Sequence, residues 1–385
     1  MEQVLKARIE SLALGGAGVT RVEGKVYFVR GALPGEEVSF RVTCDKPSYA
    51  EGSVQEVVSP SADRVEPACP YYGVCGGCQL QHLSYEKETL YKKQQVADTM
   101  SRIAGIPDVV CDDMVPSVSP YNYRSSITLH PSAEGYGYFR SSSKQVVRIG
   151  RCAIAEEAIN TELPLSSDKK AGRDITLKAD SAGRVWSSAR YGERFFQDEI
   201  GGKKVMFSTR AFSQANREMS LRVAEKLDEW IASKGGADVL FDAYCGVGFF
   251  SFLMDTPFEK RIGMDSSRTA IDCAKATQKN TPDIDAKFYR GDAELELGDL
   301  IRKEKGKKNV VLVDPPRAGA GKRFLESISS MDGVGQFYYL SCDPARLARD
   351  VKTVAAGGKW RLGRVQPFDM FPRTRHIEVL AEFVK

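Results

Sequence analysis

The second half of the chain alternates short apolar stretches with polar stretches of helical composition, from about residue 212 onward. A helical pattern over 216–233 is followed by apolar stretches at 238–243 and 310–313. This alternation is typical of a parallel, doubly wound α/β sheet, and such sheets bind their ligands beyond the carboxyl ends of the strands. The motifs that end these strands are therefore where we look for function.

The first three strand ends have a pattern typical of adenosine binding. Strand 238–243 runs into Tyr244-Cys245-Gly246-Val247-Gly248, a turn that lets backbone approach a ligand at a helix N-terminus. Asp265 ends the next strand, where an acid grips a ribose diol. The third glycine of the dinucleotide fingerprint is missing, which favours S-adenosylmethionine, a ligand without phosphates. Asp292 ends the following strand and either bonds an adenine amino group or caps a helix.

Later strand ends carry reactive groups. Strand 310–313 ends in Asp314-Pro315-Pro316-Arg317, whose prolines stop the strand and leave carbonyl groups facing the crevice. The apolar segment 337–340 leads to Cys342, where an α/β enzyme places a nucleophile, although free cysteine is also a common packing residue. Glu378 begins a last apolar strand, and a carboxylate there is costly unless it has a function or a partner.

Three cysteines near residue 75 have the spacing of a metal site. Five residues separate Cys69 from Cys75 and two separate Cys75 from Cys78, with glycines between them. We expect Cys152 to be the fourth ligand. Zinc accepts four cysteines, but this spacing departs from the paired Cys-x2-Cys knuckles of zinc ribbons. The residues alone leave the identity of the metal open.

The composition is that of a soluble globular protein, with 42% hydrophobic and 28% charged residues, and a length of 385 residues predicts several domains. No stretch approaches the ~18 apolar residues of a membrane span, and the N-terminus lacks a signal-peptide core. We therefore expect a cytoplasmic protein without membrane contact, and a monomer. A net charge of +4 permits a nucleic-acid partner without arguing for one.

The predicted organisation has three parts. Residues 1–58 contain about five short strands separated by glycine turns, which predicts a small OB-like β-barrel. Residues 59–210 form a β-rich central domain that contains the metal site, and its helix 84–105 is expected to pack on the catalytic domain. Residues 211–385 form the doubly wound catalytic domain.

The ordered set of motifs resembles the RNA uracil-5-methyltransferase family along the whole chain. The motifs are Gln214, Asp242–Gly248, Asp314–Arg317, Ser341–Pro344 and His376–Glu378, and segments 13–18 and 31–36 are similar to a TRAM domain, an RNA-binding barrel. The resemblance implies that Cys342 is the nucleophile and Glu378 the base. It also implies an S-adenosylmethionine-dependent domain in which the donor contacts are Gln214, Tyr244, Asp265, Asp292 and Asp314. A [4Fe-4S] cluster is implied for Cys69, Cys75, Cys78 and Cys152.

The implied reaction is methylation of C5 of a uridine in structured RNA. Barrel and cluster together resemble the branch acting on 23S rRNA, which we prefer; a tRNA T-loop uridine is the alternative substrate, and a catalytically degenerate iron–sulfur RNA-binding protein is the alternative class. Amine methylation is disfavoured because Arg317, and not an aromatic residue, follows Asp-Pro-Pro. Cytosine-5 methylation is disfavoured because proline follows Cys342, after Asp343, and does not precede it.

Three positions depart from the family pattern. Asp343 stands where asparagine usually follows the nucleophile, Asp265 where glutamate is commoner, and Phe249 where asparagine often contacts the cofactor. The first departure concerns the geometry of the turn, and the last removes one expected hydrogen bond. His376, two residues before Glu378, is a candidate to orient the base or to contact RNA.

Overall fold

A computed structural model describes residues 3–163 and 172–385. The N-terminal part is a six-stranded sheet with the strand order β1-β5-β6-β4-β3-β2. Alternate side chains, among them Val29, Val38 and Phe40, are fully buried in its core, as expected for amphipathic strands. The strands are β1 (Val4–Arg8), β2 (Ser11–Leu12), β3 (Gly18–Val22), β4 (Lys25–Arg30), β5 (Glu37–Asp45) and β6 (Tyr49–Ser59).

A helical segment then crosses to the C-terminal part of the molecule. Helix α1 (Tyr85–Thr99) continues into a π-helical turn, Met100–Ala104, and is followed by strand β7 (Val110–Cys111). Val96 and Met100 are buried in the core beneath the C-terminal sheet, and β7 pairs with a strand of that sheet. The predicted helix 84–105 therefore packs on the C-terminal sheet.

The central part is an antiparallel sheet of five strands with the order β10-β9-β8-β11-β12, and a two-stranded hairpin follows it. Ile127, Leu129 and Leu177 form its core together with a short helix. The elements are β8 (Ser126–Ser132), β9 (Gly135–Phe139), β10 (Val146–Arg148), α2 (Glu157–Glu162), β11 (Ile175–Ala179), β12 (Val185–Ser187), α3 (Ser188–Tyr191), β13 (Phe195–Ile200) and β14 (Lys203–Ser208).

The C-terminal part is the predicted doubly wound sheet, with the order β17-β16-β15-β18-β19-β21-β20-β7. The five strands from β17 to β19 are parallel, and β21 runs antiparallel between β19 and β20. Its elements are α4 (Arg217–Ser233), β15 (Val239–Ala243), α5 (Phe249–Leu253), β16 (Lys260–Asp265), α6 (Arg268–Asn280), β17 (Ala286–Arg290), α7 (Ala293–Lys303), β18 (Asn309–Val313), α8 (Lys322–Ser330), β19 (Val334–Ser341), α9 (Pro344–Ala356), β20 (Arg361–Phe368) and β21 (Glu378–Val384).

Strands β15 and β18 are buried along their whole length because helices cover both faces of the sheet. The strand order reverses between β15 and β18, and a crevice is expected there at the carboxyl ends of the strands. The same edge receives the turns after β16 and β19. Within the described ranges, no helix is both long and apolar enough to cross a lipid bilayer.

Candidate active site

A cavity of about 1470 Å³ lies between the central sheet and the carboxyl ends of the C-terminal strands. It brings together most of the side chains that the sequence singles out. These are Cys342 and Glu378, the predicted donor contacts Gln214, Tyr244, Asp265 and Asp314, and the cysteines Cys69, Cys75, Cys78 and Cys152. Asp292 alone among the predicted site residues does not line this cavity.

Cys342 is half-buried in the turn between β19 and α9. Burial and the negative charges of Glu378 and Asp314 raise the pKa of its thiol to about 11, and the nearby Arg317 guanidinium opposes this shift. The thiol is therefore protonated near neutral pH in the protein on its own. A further positive charge in the cavity would favour the thiolate, which is the nucleophilic form.

The turn after Cys342 is built by Asp343, the residue that departs from the family pattern. Its Oδ1 accepts hydrogen bonds of 3.0 Å from the backbone N–H groups of Ala345 and Arg346, which makes Asp343 the N-cap of α9. Pro344 occupies the first position of the helix, where a missing N–H costs nothing. Aspartate and asparagine cap helices about equally well, so the departure preserves the turn.

Glu378 is the first residue of β21, and its side chain is only 3% exposed. Burial and the adjacent Asp314 raise the pKa of its carboxyl well above the ordinary range, although Arg317 counteracts them. Burial together with Asp242 and Asp265 likewise raises the pKa of Asp314. The cavity therefore contains several acids that compete for ionisation, a pattern that is common in active sites.

The end of the cavity at β15 and β16 fits a ligand with hydroxyl groups. Asp265 accepts hydrogen bonds from the backbone of Gly246 at 3.0 Å and of Ser267 at 2.7 Å, which fixes the carboxylate beside the glycine turn. Gly246 has a φ of +54°, a conformation that glycine adopts without strain. Gln214 Nε2 donates to Asp314 Oδ2 at 3.5 Å, so these two predicted contacts are neighbours.

Tyr244 also has a positive φ, +61°, which is uncommon for a residue with a side chain. Its hydroxyl donates to Glu294 Oε1 at 2.8 Å, and Gly321 N donates to the same oxygen. Non-glycine residues in this conformation cluster at functional sites, where the surrounding contacts hold them. Tyr244 lines the cavity, and its hydroxyl is anchored outside the cavity wall by Glu294.

Asp292 is exposed, and its Oδ1 accepts from Glu294 N at 2.9 Å as the N-cap of α7. Of the two alternatives that the sequence left open for this residue, the helix cap is the contact observed. Its contact with adenine remains a prediction. Phe249 packs against Phe207 and Phe250 at the cavity wall, where it provides apolar surface and no hydrogen bond.

The four cysteines line the opposite end of the cavity. Gly77 N donates to Cys75 Sγ at 3.4 Å, and Gly76 N bonds to Phe139 O at 2.9 Å, which pins their loop to β9. Burial, together with the neighbouring Cys152, Cys75 and Cys69, raises the pKa of the Cys78 thiol to about 12. Among residues 3–163 and 172–385, no three His, Cys, Asp or Glu side chains are arranged to hold a single metal ion.

Two buried charged residues of the cavity wall were not predicted from the sequence. Asp242 is 1% exposed within β15 and accepts from Ser251 Oγ at 2.6 Å, while its other oxygen has no protein partner. Lys178 of β11 donates to Ser208 O at 3.0 Å and holds the loop that leads to Gln214. An acid inside an otherwise apolar strand could have identified Asp242 as a site residue. The sequence contains no comparable signal for Lys178.

Comparisons with known proteins identify the family of this chain. The sequence profile described as tRNA (Uracil-5-)-methyltransferase matches residues 195–382, and that of the TRAM domain matches residues 2–55. A Bdellovibrio bacteriovorus protein named as an uncharacterized RNA methyltransferase is 31% identical, covering 98% of this chain and 94% of its own length. This chain belongs to the RNA uracil-5-methyltransferase family.

A second relative supports the family assignment, and a solved structure supports the fold. An RNA methyltransferase of Clostridium tetani, also named as uncharacterized, is 30% identical over 97% of this chain and 94% of its own length. The structure of the Pyrococcus abyssi tRNA (uracil-54, C5)-methyltransferase with S-adenosyl-L-homocysteine matches with a TM-score of 0.74 at 24% identity, covering 99% and 100% of the two chains. The predicted fold, an S-adenosylmethionine-dependent methyltransferase domain preceded by a TRAM domain, is confirmed.

Proposed function

We propose that this protein methylates C5 of a specific uridine in a structured RNA, with S-adenosylmethionine as the methyl-donor substrate. The observation that carries the proposal is the presence of Cys342 and Glu378 in one cavity with Gln214, Asp265 and Asp314. Uracil C5 attacks a methyl sulfonium poorly unless a nucleophile first adds to C6. The reaction therefore needs one thiolate and one base, and the cavity supplies both.

Cys342 acts first, as the nucleophile. Its Sγ bonds to C6, and the electrons of the C5–C6 double bond move toward C5 and O4, which gives C5 carbanion character. C5 then forms a bond to the methyl group as the bond between that methyl and the donor sulfur breaks. Arg317 and the positive charge of the bound donor favour ionisation of Cys342, opposing the burial that raises the pKa of the thiol to about 11.

Glu378 acts second, as the base. It removes the proton on C5, the C5–C6 double bond forms again, and the bond between C6 and Cys342 breaks to release the methylated uridine. Because Glu378 is buried, water does not compete for this proton. The target base has to leave its stack to reach such a site, as base-modifying enzymes generally require.

We infer that Asp265 holds the donor ribose, with Gln214, Tyr244 and Asp314 as further contacts and Asp292 near the adenine. The carboxylate of Asp265 is fixed at the end of β16 beside the Gly246 turn, as a ribose site requires. The relative of known structure binds S-adenosyl-L-homocysteine, the product of such a donor. This supports the same ligand class here.

For the RNA, we infer 23S rRNA as the substrate and a tRNA uridine as the alternative. Support for 23S rRNA comes from the combination of an N-terminal TRAM domain with the four-cysteine set, which resembles that branch of the family. The alternative is favoured by the solved relative, which acts on uracil-54 of tRNA. Direct assay of both RNAs decides between them.

We infer that the four cysteines hold a [4Fe-4S] cluster. The donor set fits: Cys69, Cys75, Cys78 and Cys152 line one end of the cavity, and Gly77 N donates to the Cys75 sulfur, as backbone groups do around such clusters. When bound, the cluster would supply structural cross-linking of the loop, because methyl transfer moves no single electrons.

The cluster is tested by iron and sulfide analysis of protein purified without oxygen. We expect iron and sulfide in equal amounts, with loss of both in Cys78→Ser and retention in Cys44→Ser, whose cysteine lies in the barrel. A colourless preparation containing zinc would contradict the assignment.

The methyl transfer is tested by incubating the protein with labelled donor and separate 23S rRNA and tRNA transcripts. We expect label on C5 of one uridine. Cys342→Ala should lose all product and still bind the donor, whereas the control Cys111→Ala, altered in β7 outside the cavity wall, should keep full turnover. Wild-type turnover by Cys342→Ala would refute the mechanism. Donor binding by the wild type with no transfer to any RNA would favour the catalytically degenerate alternative.

A further inference from the structure

The segment 369–377, which leads into Glu378, follows β20 and has no regular secondary structure. It is held by contacts from distant parts of the chain. Tyr123 donates its hydroxyl to Pro372 O at 3.0 Å, and Asn216 Nδ2 donates to Met370 O at 3.2 Å. The position of the base therefore depends on residues far from it in sequence.

Arg373 is the centre of these contacts. It has a φ of +66°, and its side chain is buried, with 6% exposure. Its backbone N donates to Glu88 Oε1 at 2.7 Å, and its Nη1 donates to Leu83 O at 2.8 Å. The guanidinium lies 5.2 Å and 5.0 Å from the ring centres of Tyr85 and Tyr121. Such a strained and buried residue fixes the course of the backbone on both sides.

Helix α1 braces the same segment with a buried charge network. Lys92 is 1% exposed and donates to Glu88 at 2.8 Å, to Asp369 at 2.7 Å and to Phe371 O at 3.2 Å. Glu88 thus accepts from both Lys92 and Arg373. Because these charges are buried, each one depends on its partners staying in place.

The cysteine loop reaches Arg373 directly. The backbone N–H groups of Gln79 and Leu80 both donate to Arg373 O at 3.0 Å, immediately after Cys78. The Gln79 side chain extends the link: its Oε1 accepts from Arg375 N at 3.1 Å, and its Nε2 donates to Gly76 O at 2.8 Å. One loop therefore contains three of the four cysteines and holds the backbone five residues before Glu378.

We propose that Arg373 and Gln79 are positioning residues for the base, through which the cysteine loop sets the efficiency of C5 proton removal. This role rests on the proposed function and goes beyond it, because it assigns the cysteine loop a part in the steps after methyl transfer, which are proton removal and elimination. Neither residue touches the reacting base. Replacing either residue leaves Cys342 and the donor contacts in place, so addition of the thiolate and methyl transfer continue. The methylated covalent adduct then accumulates, because the displaced Glu378 removes the C5 proton slowly.

The test measures the covalent protein–RNA adduct by denaturing gel during turnover, together with methylated product. Arg373→Lys keeps the charge and loses the planar fork, and Gln79→Ala removes the link to Arg375 from a half-buried position. We expect both variants to accumulate adduct, to slow turnover by about tenfold or more, and to keep wild-type first-turnover methyl transfer. The matched control is Arg364→Lys, another arginine paired with a glutamate and stacked on an aromatic ring, on β20.

Two reference reactions distinguish failure of the positioning role from failure of the proposed function. Wild type with 5-fluorouridine RNA, which has no C5 proton to remove, and Glu378→Gln with ordinary RNA should both trap adduct. If they do and the Arg373 and Gln79 variants do not, or if Arg364→Lys traps as much, the positioning role is wrong and the proposed function stands. If neither reference traps adduct and no RNA is methylated, the proposed function fails and this inference fails with it.

Discussion

Replacing Glu378 by glutamine should remove activity and stabilise the protein at the same time. The ordinary pKa of this carboxyl is 4.5, and burial beside Asp314 raises it well above that value in the folded protein. Between pH 4.5 and the raised pKa, the folded state therefore binds a proton that the unfolded state does not. The stability of the wild type therefore falls as the pH rises through this window. The glutamine variant avoids this loss because glutamine does not titrate.

The magnitude follows from the width of the window. Each pH unit inside the window costs about 1.4 kcal/mol, so the cost grows with pH until the raised pKa is reached. The glutamine amide loses part of that gain because its N–H groups need partners in a 3% exposed site. We expect Glu378→Gln to raise the free energy of unfolding by about 1–3 kcal/mol at neutral pH. Below pH 4.5 this gain should vanish, which leaves only the cost of the unpartnered amide.

Urea unfolding of both proteins at pH 7 and near pH 4.5 measures this difference, provided the slopes of the transitions agree. In the same preparations, turnover should fall by about 10²- to 10⁴-fold, the usual contribution of a positioned base. A variant that is less stable than wild type at pH 7, or equally shifted at both pH values, would refute a desolvated Glu378 whose pKa is raised by folding.

A second glutamate on the same strand provides the matched control. Glu382 is 5% exposed and pairs with Arg364 at 2.9 Å and Lys234 at 3.2 Å, away from the cavity. Glu382→Gln should therefore destabilise the protein by about 1.5–3 kcal/mol through weaker charged hydrogen bonds. Its turnover should be unchanged, which is the opposite of the result for Glu378→Gln.

Three further predictions concern the nucleophile, its turn and the buried network. Because the pKa of Cys342 is raised to about 11, single-turnover methyl transfer should accelerate by up to about tenfold per pH unit above neutrality, and a flat profile would contradict a rate-limiting thiolate. Asp343→Ala should lower stability by about 0.5–2 kcal/mol in urea and slow turnover, whereas Asp343→Asn should preserve both. Lys92→Met should cost about 3–5 kcal/mol by leaving Asp369 uncompensated and Glu88 paired with Arg373 alone, and a loss below 1 kcal/mol would argue against a charged network.

The strand-end motifs were predictable because their signals are local. Apolar runs that stop at Gly-x-Gly, at Asp265, at Asp314-Pro315 or at Cys342 are visible in a single sequence, and parallel strands necessarily bring such ends to one edge of a sheet. The helix expected at 216–233 is observed at Arg217–Ser233 with Asn216 as its cap. The catalytic roles of these residues remain predictions until variants are measured.

The remaining features depend on distant partners. Lys92 lies in a helix whose pattern gives no sign that a lysine is buried, because its partner Asp369 is 277 residues away. The left-handed conformation of Arg373 and the insertion of β21 between β19 and β20 are likewise set by tertiary contacts. For Asp292 the sequence offered two equal alternatives, and only the structure shows that its oxygen caps α7.

The place of β21 in the sheet also constrains how the enzyme comes into being. This strand is synthesised after β20 and α9, yet it lies between β19 and β20. During synthesis the earlier parallel strands, with Asp265, Asp314 and Cys342, can associate before β21 leaves the ribosome, since chains fold progressively from the N-terminus. The proposed base, Glu378, is thus added last, after the strands that bring Cys342 to the edge of the sheet.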